Sequence, residues 1–267
     1  MSAFEDYESI YWVFTQLCND ECAHCYNDSG PQGRRLPLAD CLAIVENLPA
    51  RLGRLILSGG EPLTEEEKLH AILEAVQGKY RGAAQVMLQT NGDLLTAARL
   101  DALLARGVTR IDVSSMDRLH HMQGAHRERL ESLLRSRGMS GDDADPLIAK
   151  DNYRKAGLSY GFWGANEDLW LGGHWARGRA RRNGISLEDG RRNFCAITSG
   201  ARGFLGGQDL PQELSIQLHD VYPCCATMRY PAGDARRERV SAIVERLRAS
   251  PIFRRLNEGN PYGMGEE

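Results

Sequence analysis

Three cysteines, Cys18, Cys22 and Cys25, follow an apolar stretch (Ile10, Tyr11, Trp12, Val13, Phe14) in the spacing C-x3-C-x2-C. Thiolate is the protein ligand of iron–sulfur clusters, and three of them close together can hold three irons of a four-iron, four-sulfur cube. The fourth iron is then open to a small molecule, which marks a reactive cluster and not a purely electron-carrying one. With seven cysteines in 267 residues, chance is a poor account of such a triplet. Zinc is the competing metal, but a zinc site needs a fourth Cys or His close by. His24 is the nearest candidate, and standing next to Cys25 it is badly placed to share one metal.

The elements that must position these thiols alternate between strand and helix. A strand over 10–16 ends at the cysteine loop. The spacing over 37–49 predicts an amphipathic helix with Leu38, Cys41, Leu42, Val45 and Leu48 on one face, Cys41 being a small buried apolar residue. Residues 54–58 read as a second strand running into Gly59-Gly60-Glu61-Pro62. Thr64 and Glu67 have capping-box spacing for a helix burying Leu69, Ile72, Leu73 and Val76. A third strand over 84–90 ends in Thr90-Asn91-Gly92, and a helix then runs to about Arg106, with Gly107 just past its end. The fourth strand, 108–114, precedes a long polar helical stretch through His120, His121 and Arg127, on which both histidines are solvated. Such alternation predicts parallel β/α units, whose ligands gather at the carboxyl ends of the strands. The cysteine triplet, GGEP, TNG and Ser114-Ser115 all fall there.

After residue 138 the pattern loosens. Residues 141–146 carry a turn or linker signal, 158–163 a fifth strand, and 169–184 a loop rich in Gly, Trp and Arg. The arginines between Arg177 and Arg192 read as a solvated surface or a loop anchored to acidic neighbours, and Trp163, Trp170 and Trp175 as core or pocket-mouth residues. A short strand over 214–218, a helix burying Val240, Ile243, Val244 and Leu247, and a second helix starting at Ser250-Pro251 complete the chain. The formal net charge of -3 gives no field that draws the protein to nucleic acid or anionic lipid. No run reaches membrane-spanning length. The N-terminus lacks a secretory signal, so the expected compartment is the cytoplasm, with cysteines used for metal and not for disulfides.

Together these motifs resemble the radical SAM superfamily over about residues 8–185. The resemblance implies an α/β fold, an incomplete parallel (β/α) barrel, with a core domain over 1–185. It implies a [4Fe-4S] cluster on Cys18, Cys22 and Cys25 whose open iron chelates S-adenosyl-L-methionine. Gly59, Gly60, Glu61 and Pro62 resemble the GGEP motif, whose backbone and carboxylate approach the methionine ammonium. Ser114 stands where relatives contact ribose or methionine, and Arg127 is a candidate for the methionine carboxylate. Reduction of the sulfonium would give methionine and a 5′-deoxyadenosyl radical that takes hydrogen from a substrate. A flavodoxin or ferredoxin would supply the electron. His24 replaces the aromatic residue often found before the third cysteine, and adenine contacts and catalytic residues stay unassigned.

Residues 186–267 resemble a shortened SPASM/twitch extension through Cys195, Pro223-Cys224-Cys225 and Ser250-Pro251-Ile252-Phe253, with Gly178-Arg179-Ala180 ahead of them. That implies a second iron–sulfur cluster on Cys195, Cys224 and Cys225, with an open iron or a further ligand such as His219. The alternative is that Cys224 and Cys225 pack under the C-terminal helix. By association with such extensions the expected substrate is a ribosomally made peptide. With about ten residues before the barrel, no fused leader-binding domain is expected, and a separate carrier protein would deliver the peptide. The competing readings are a radical dehydrogenase of a small aminocyclitol or sugar alcohol, a non-catalytic metal-binding protein, and an electron-transfer protein.

Overall fold

A computed structural model of the chain describes residues 5–142, 156–164, 177–185, 213–222 and 230–258. Cys195, Cys224, Cys225, Trp170 and Trp175 lie outside the described residues, as does the proposed second metal site built on the first three. In chain order the elements are β1 (Asp6–Thr15), α1 (Leu38–Asn47), β2 (Arg51–Gly59), α2 (Glu66–Tyr80), β3 (Gln85–Thr90), α3 (Ala97–Ala105), β4 (Val108–Val113) and α4 (Arg127–Arg135). They continue with β5 (Ser140–Gly141), β6 (Ser159–Phe162), α5 (Gly178–Arg182), β7 (Glu213–Gln217), β8 (Asp220–Tyr222), β9 (Gly233–Asp234), α6 (Val240–Leu247) and α7 (Pro251–Asn257). The strands form one nine-stranded sheet in the order β5-β6-β4-β3-β2-β1-β7-β8-β9. Every pair from β5 to β7 is parallel, and the β7–β8 and β8–β9 pairs are antiparallel. Among the described residues the sheet does not close on itself, in keeping with the incomplete parallel barrel that the resemblance implies.

Chain alternation gives the sheet two chemically different faces. Ile10, Trp12 and Phe14 of β1, Leu55 and Leu57 of β2, Val86 and Leu88 of β3, and Ile111 and Val113 of β4 pack into the hydrophobic core with α1, α2 and α3. Leu69, Ile72, Leu73 and Val76 of α2 are fully buried against them, at roughly 1.5–3 kcal/mol per side chain. In α6, Val240, Ile243, Val244 and Leu247 are buried as their spacing predicts. The C-terminal strands are tied to the barrel along Ser9–Val13, and Trp12 Nε1 donates to the Leu218 carbonyl at 2.8 Å. Among the described residues no helix is long and apolar enough to cross a membrane.

Four expectations are corrected. On α1 the buried stripe is Cys41, Ile44 and Val45, continued by Leu48, while Leu38 in the first turn stays 41% exposed. Thr64 and Glu67 form no capping box: Pro62–Glu65 is a 3-10 turn, and Thr64 Oγ1 donates to the Glu61 carbonyl at 2.6 Å. The cap is Glu61 instead, whose carboxylate accepts from the Leu63 N–H at 3.0 Å. The helix expected through His120 and His121 begins only at Arg127, because Gln123 and Gly124 adopt positive φ and break it. Of the 169–184 loop, Gly178–Arg182 is a short helix.

The corrected stripe on α1 has a direct test. Ile44→Ala should cost about 2–5 kcal/mol of unfolding free energy, and Leu38→Ala about 0.5 kcal/mol or less, in urea melts of the chain. Equal losses would contradict the observed face.

Candidate active site

β1 ends at Thr15, and the chain then turns into a loop stitched to itself by backbone bonds. Gln16 N–H donates to the Arg34 carbonyl at 2.8 Å, Gly30 N–H to Gln16 at 3.1 Å, and Cys18 N–H to Gly30 at 3.0 Å. Cys18 is buried, and Cys22 and Cys25 are half-buried. The Asp20 N–H donates to the Cys18 sulfur at 3.4 Å, and the Ser29 N–H to the Cys25 sulfur at 3.3 Å. The Cys22 thiol donates to Asp20 at 3.0 Å. Burial pushes the Cys18 thiol up to about 12, opposed by the Asp20 N–H and reinforced by Glu61, Cys25 and Asp20. Cys22 is pushed up further, by burial first and then by Asp20, Cys18 and Cys25.

These shifts test whether the loop suits a cluster. Cys18 and Cys22 are both held towards the neutral thiol by burial, and a bound cation at their sulfurs would favour the thiolate. Backbone N–H groups already point at two of the sulfurs, a contact that stabilises thiolate and tunes cluster potential. A donor set of three cysteines fits an iron–sulfur cluster.

The cysteine loop rests on the end of β2. Gly60 N–H donates to the Thr15 carbonyl at 2.8 Å and Glu61 N–H to the Leu17 carbonyl at 2.9 Å. A Cβ on Gly60 would stand 2.8 Å from the Cys18 Cβ and closer still to the Leu17 carbonyl, so no larger residue fits. Pro62, buried, opens the 3-10 turn that follows. Glu61 is fully buried. Its carboxylate accepts from Thr90 Oγ1 at 2.8 and 2.9 Å and from the Asn91 N–H at 2.7 Å. Burial raises its pKa to about 7, against the bonds from Asn91, Leu63 and Thr90.

β3 and β4 join the same knot. Asn91 Nδ2 donates to Asn19 in the cysteine loop at 2.9 Å, and Ser115 Oγ donates to the Asn91 carbonyl at 2.6 Å. His126 Nε2 donates to that same carbonyl at 3.0 Å. Ser114 is half-buried, its N–H on the Thr90 carbonyl at 2.9 Å and its hydroxyl 3.4 Å from that oxygen. Arg127 is exposed, its guanidinium 5.0 Å over the Phe162 ring. The structure therefore brings the three cysteines and Gly59–Pro62 together, sets Ser114 on the neighbouring strand end, and stands Arg127 over the last residue of β6.

Below this knot the second face of the sheet is polar. Register puts Ser9, Tyr11 and Val13 of β1 beside Arg54, Ile56 and Ser58 of β2, and beside Ser215 and Gln217 of β7. Met87 and Gln89 of β3 lie beside Arg110 and Asp112 of β4, and these beside Ser159 and Gly161 of β6. Tyr11 Oη donates to Ser58 Oγ at 2.8 Å and lies 3.3 Å from the Tyr26 hydroxyl. Arg110, fully buried, is gripped by Asp142 through two bonds of 2.7 Å and by Asp112 at 2.8 Å. Trp163 Nε1 donates to Asp112 at 3.1 Å.

Several of these groups carry little or no sequence signal. His24 and His120 meet edge to face at 4.6 Å between centroids, and His120 Nδ1 lies 3.0 Å from both oxygens of Asp117. His120 is thus packed on the cysteine loop and not solvated on a helix. His219 Nδ1 lies 3.1 Å from Asp220 and 3.7 Å from Asp234. The arginines in the alternation of β2 and β4, Arg54 and Arg110, were the available signals for the polar face.

Two variants test the knot. Gly60→Ala should leave the chain unable to retain iron after anaerobic reconstitution, measured by iron content after gel filtration. For Glu61 the folded pKa lies above the unfolded one, so the native state binds the extra proton between pH 4.5 and about 7. Its contribution to stability therefore falls as pH rises through that window, on the order of 3 kcal/mol in total. Urea melts of the metal-free chain should show wild type losing ground to Glu61→Gln from pH 5 to 7.5; a constant difference would refute the shift.

Comparison with known proteins gives this geometry a family. Residues 12–135 match the family model of the Radical SAM superfamily. AdoMet-dependent heme synthase of Methanosarcina barkeri (strain Fusaro / DSM 804) is 33% identical over 156 residues, which are 57% of this chain and 40% of that protein. GTP 3',8-cyclase of Synechococcus sp. (strain CC9902) is 32% identical over 120 residues, 41% of this chain and 34% of that protein. The chain thus spans less than half the length of these curated relatives. The crystal structure of BtrN in complex with AdoMet and 2-DOIA has a TM-score of 0.57 at 18% identity, covering 95% of this chain and 88% of that one. Native anSMEcpe with bound AdoMet and Cp18Cys peptide has a TM-score of 0.53 at 14% identity, covering 90% and 80%. At these identities the likeness is one of fold. The cysteine loop, the glycine pair beneath it and the Glu61–Thr90–Asn91 tie all fall within the residues, 12–135, that match the Radical SAM superfamily model.

Proposed function

We propose that the protein is a radical S-adenosyl-L-methionine enzyme whose [4Fe-4S] cluster is held by Cys18, Cys22 and Cys25. The observation that carries the reading is the packing of Cys18 on Gly60 at the end of β2, with Cys22 and Cys25 half-buried in the same loop. Bound there, the cluster supplies one-electron reductive cleavage of S-adenosyl-L-methionine and, through it, hydrogen abstraction from a substrate. The chain's residues do the positioning. Gly59 and Gly60 keep the backbone close enough to border the methionine end of the ligand, with Pro62 fixing the turn behind them. Glu61 shapes that rim, because its oxygens face Thr90, Asn91 and Leu63. Ser114 borders the nucleoside, and Arg127 is available for the methionine carboxylate. An external one-electron donor of flavodoxin or ferredoxin type completes the cycle. Cys195, Cys224 and Cys225 are the proposed ligands of a second cluster.

Two substrate classes remain. A ribosomally made peptide, brought by a carrier protein, is supported by the shared fold of anSMEcpe, solved with a bound peptide. A small hydroxyl-bearing molecule, oxidised by radical dehydrogenation, is favoured by one specific observation. The sheet face below the cysteines offers Tyr11, Ser58, Gln89 and Gln217, groups that pair with hydroxyls at close range.

Anaerobically reconstituted, reduced protein should convert S-adenosyl-L-methionine to 5′-deoxyadenosine, and the Cys18→Ala, Cys22→Ala, Cys25→Ala triple variant should not. Robust 5′-deoxyadenosine from the triple variant would overturn the assignment. Mass spectrometry of turnover divides the substrate readings. A polyol product two mass units lighter supports the small molecule, and a cross-linked, epimerised or oxidised peptide supports the other.

A further inference from the structure

The cysteine loop lies in no regular sheet or helix, so its backbone carbonyls must find donors elsewhere. Four of them find donors in one short segment more than a hundred residues away. Arg179 Nε donates to the Cys22 carbonyl at 3.0 Å, and Arg179 Nη2 donates to the Ser29 carbonyl. Asn183 Nδ2 donates to the Ala23 carbonyl at 2.9 Å, and the Ala180 N–H to the Cys25 carbonyl at 3.3 Å. Arg182 adds a two-pronged ion pair to Asp28 at 2.7 and 3.1 Å. Gly178 makes the approach physically feasible: it has φ +57°, and a Cβ there would stand 2.5 Å from the Tyr26 carbonyl and 2.8 Å from that of Cys25. The donors, on residues 179–183, lie outside residues 12–135, the stretch that matches the superfamily.

We infer that α5 is a clamp that fixes the cysteine loop, with Arg179 as its positioning residue. The guanidinium bridges the carbonyl of one cysteine, Cys22, and that of Ser29, which follows the last cysteine of the triplet. It therefore ties the middle of the loop to its C-terminal end, which a single hydrogen bond could not do. Its fork and its charge have separable effects. The fork limits opening of residues 18–30, and the positive charge beside the cysteines favours the more reduced state of whatever they hold.

The test compares wild type with Arg179→Ala and Arg179→Lys in the full chain. In the metal-free protein, hydrogen exchange read by mass spectrometry should accelerate about tenfold over residues 18–30 in Arg179→Ala, the loss of a charge-assisted bond, with α2 unchanged. Arg179→Lys keeps the charge without the fork, so it should also accelerate exchange. After anaerobic reconstitution, Arg179→Ala should retain less than half the wild-type iron and show a lower reduction potential. Arg179→Lys should keep the potential near wild type. Should Arg179→Ala fail to fold by circular dichroism, Asn183→Ala removes one clamp contact only and should accelerate the same segment by a smaller factor. Unchanged exchange over 18–30 in the folded variants, or equal acceleration in α2, would overturn the clamp. The iron and potential measurements rest on the cluster assignment, and the exchange measurement does not. A wild type that never holds iron would count against the proposed function and leave exchange to decide the clamp.

Discussion

Two backbone hydrogen bonds, from Gly60 to Thr15 and from Glu61 to Leu17, set the geometry on which the rest of the site depends. They carry the pairing of β1 with β2 past the end of the sheet, so the cysteine loop begins as an extension of regular structure. That approach leaves no room for a side chain on Gly60. Everything built above it inherits the constraint. Glu61 has to turn inward, where it is fully buried and takes up donors from β3, and β3 in turn receives Ser115 and His126 from beyond β4. Four strand ends are thus locked together by polar contacts. The cost of misplacing any one group is a buried polar atom without a partner.

The sheet separates stability from chemistry by its pleat. Its helix-covered face is almost wholly apolar and accounts for the packing energy. The opposite face carries two arginines, Arg54 and Arg110, with serines, glutamines and a tyrosine. Arg110 between Asp112 and Asp142 is a buried ionic group, which adds little net stability when intact and costs several kcal/mol when broken. Its value is in rigidity: it fixes β4 against the stretch leading out of β5 on the polar side.

Much of this was legible in the sequence because it is local. The 3.6-residue spacing of α2 and α6 and the strand-end position of each motif follow from neighbours a few residues apart. The failures are all tertiary. Leu38 fits the stripe of α1 but lies in a turn that the core does not cover. The polar run before Arg127 has helical composition, and two residues with positive φ keep it from being a helix. Asp142 reads as linker and is a partner of a buried arginine. Arg179 reads as one arginine of a solvated or acid-anchored loop, yet its hydrogen-bond partner Cys22 is separated from it by 157 positions, beyond the reach of any local pattern.

The place of β1 in the sheet has a consequence for how the molecule is made. β1 pairs with β2 on one edge and with β7 on the other, so one flank is available soon after synthesis and the other only some two hundred residues later. During translation the strand that delivers the cysteines waits with an unpaired edge, at the ribosomal rate of about 5–20 residues per second. Non-local parallel pairing of this kind is slow and leaves sticky surface exposed. The strand that delivers the cysteines therefore completes its pairing only once β7 has been made.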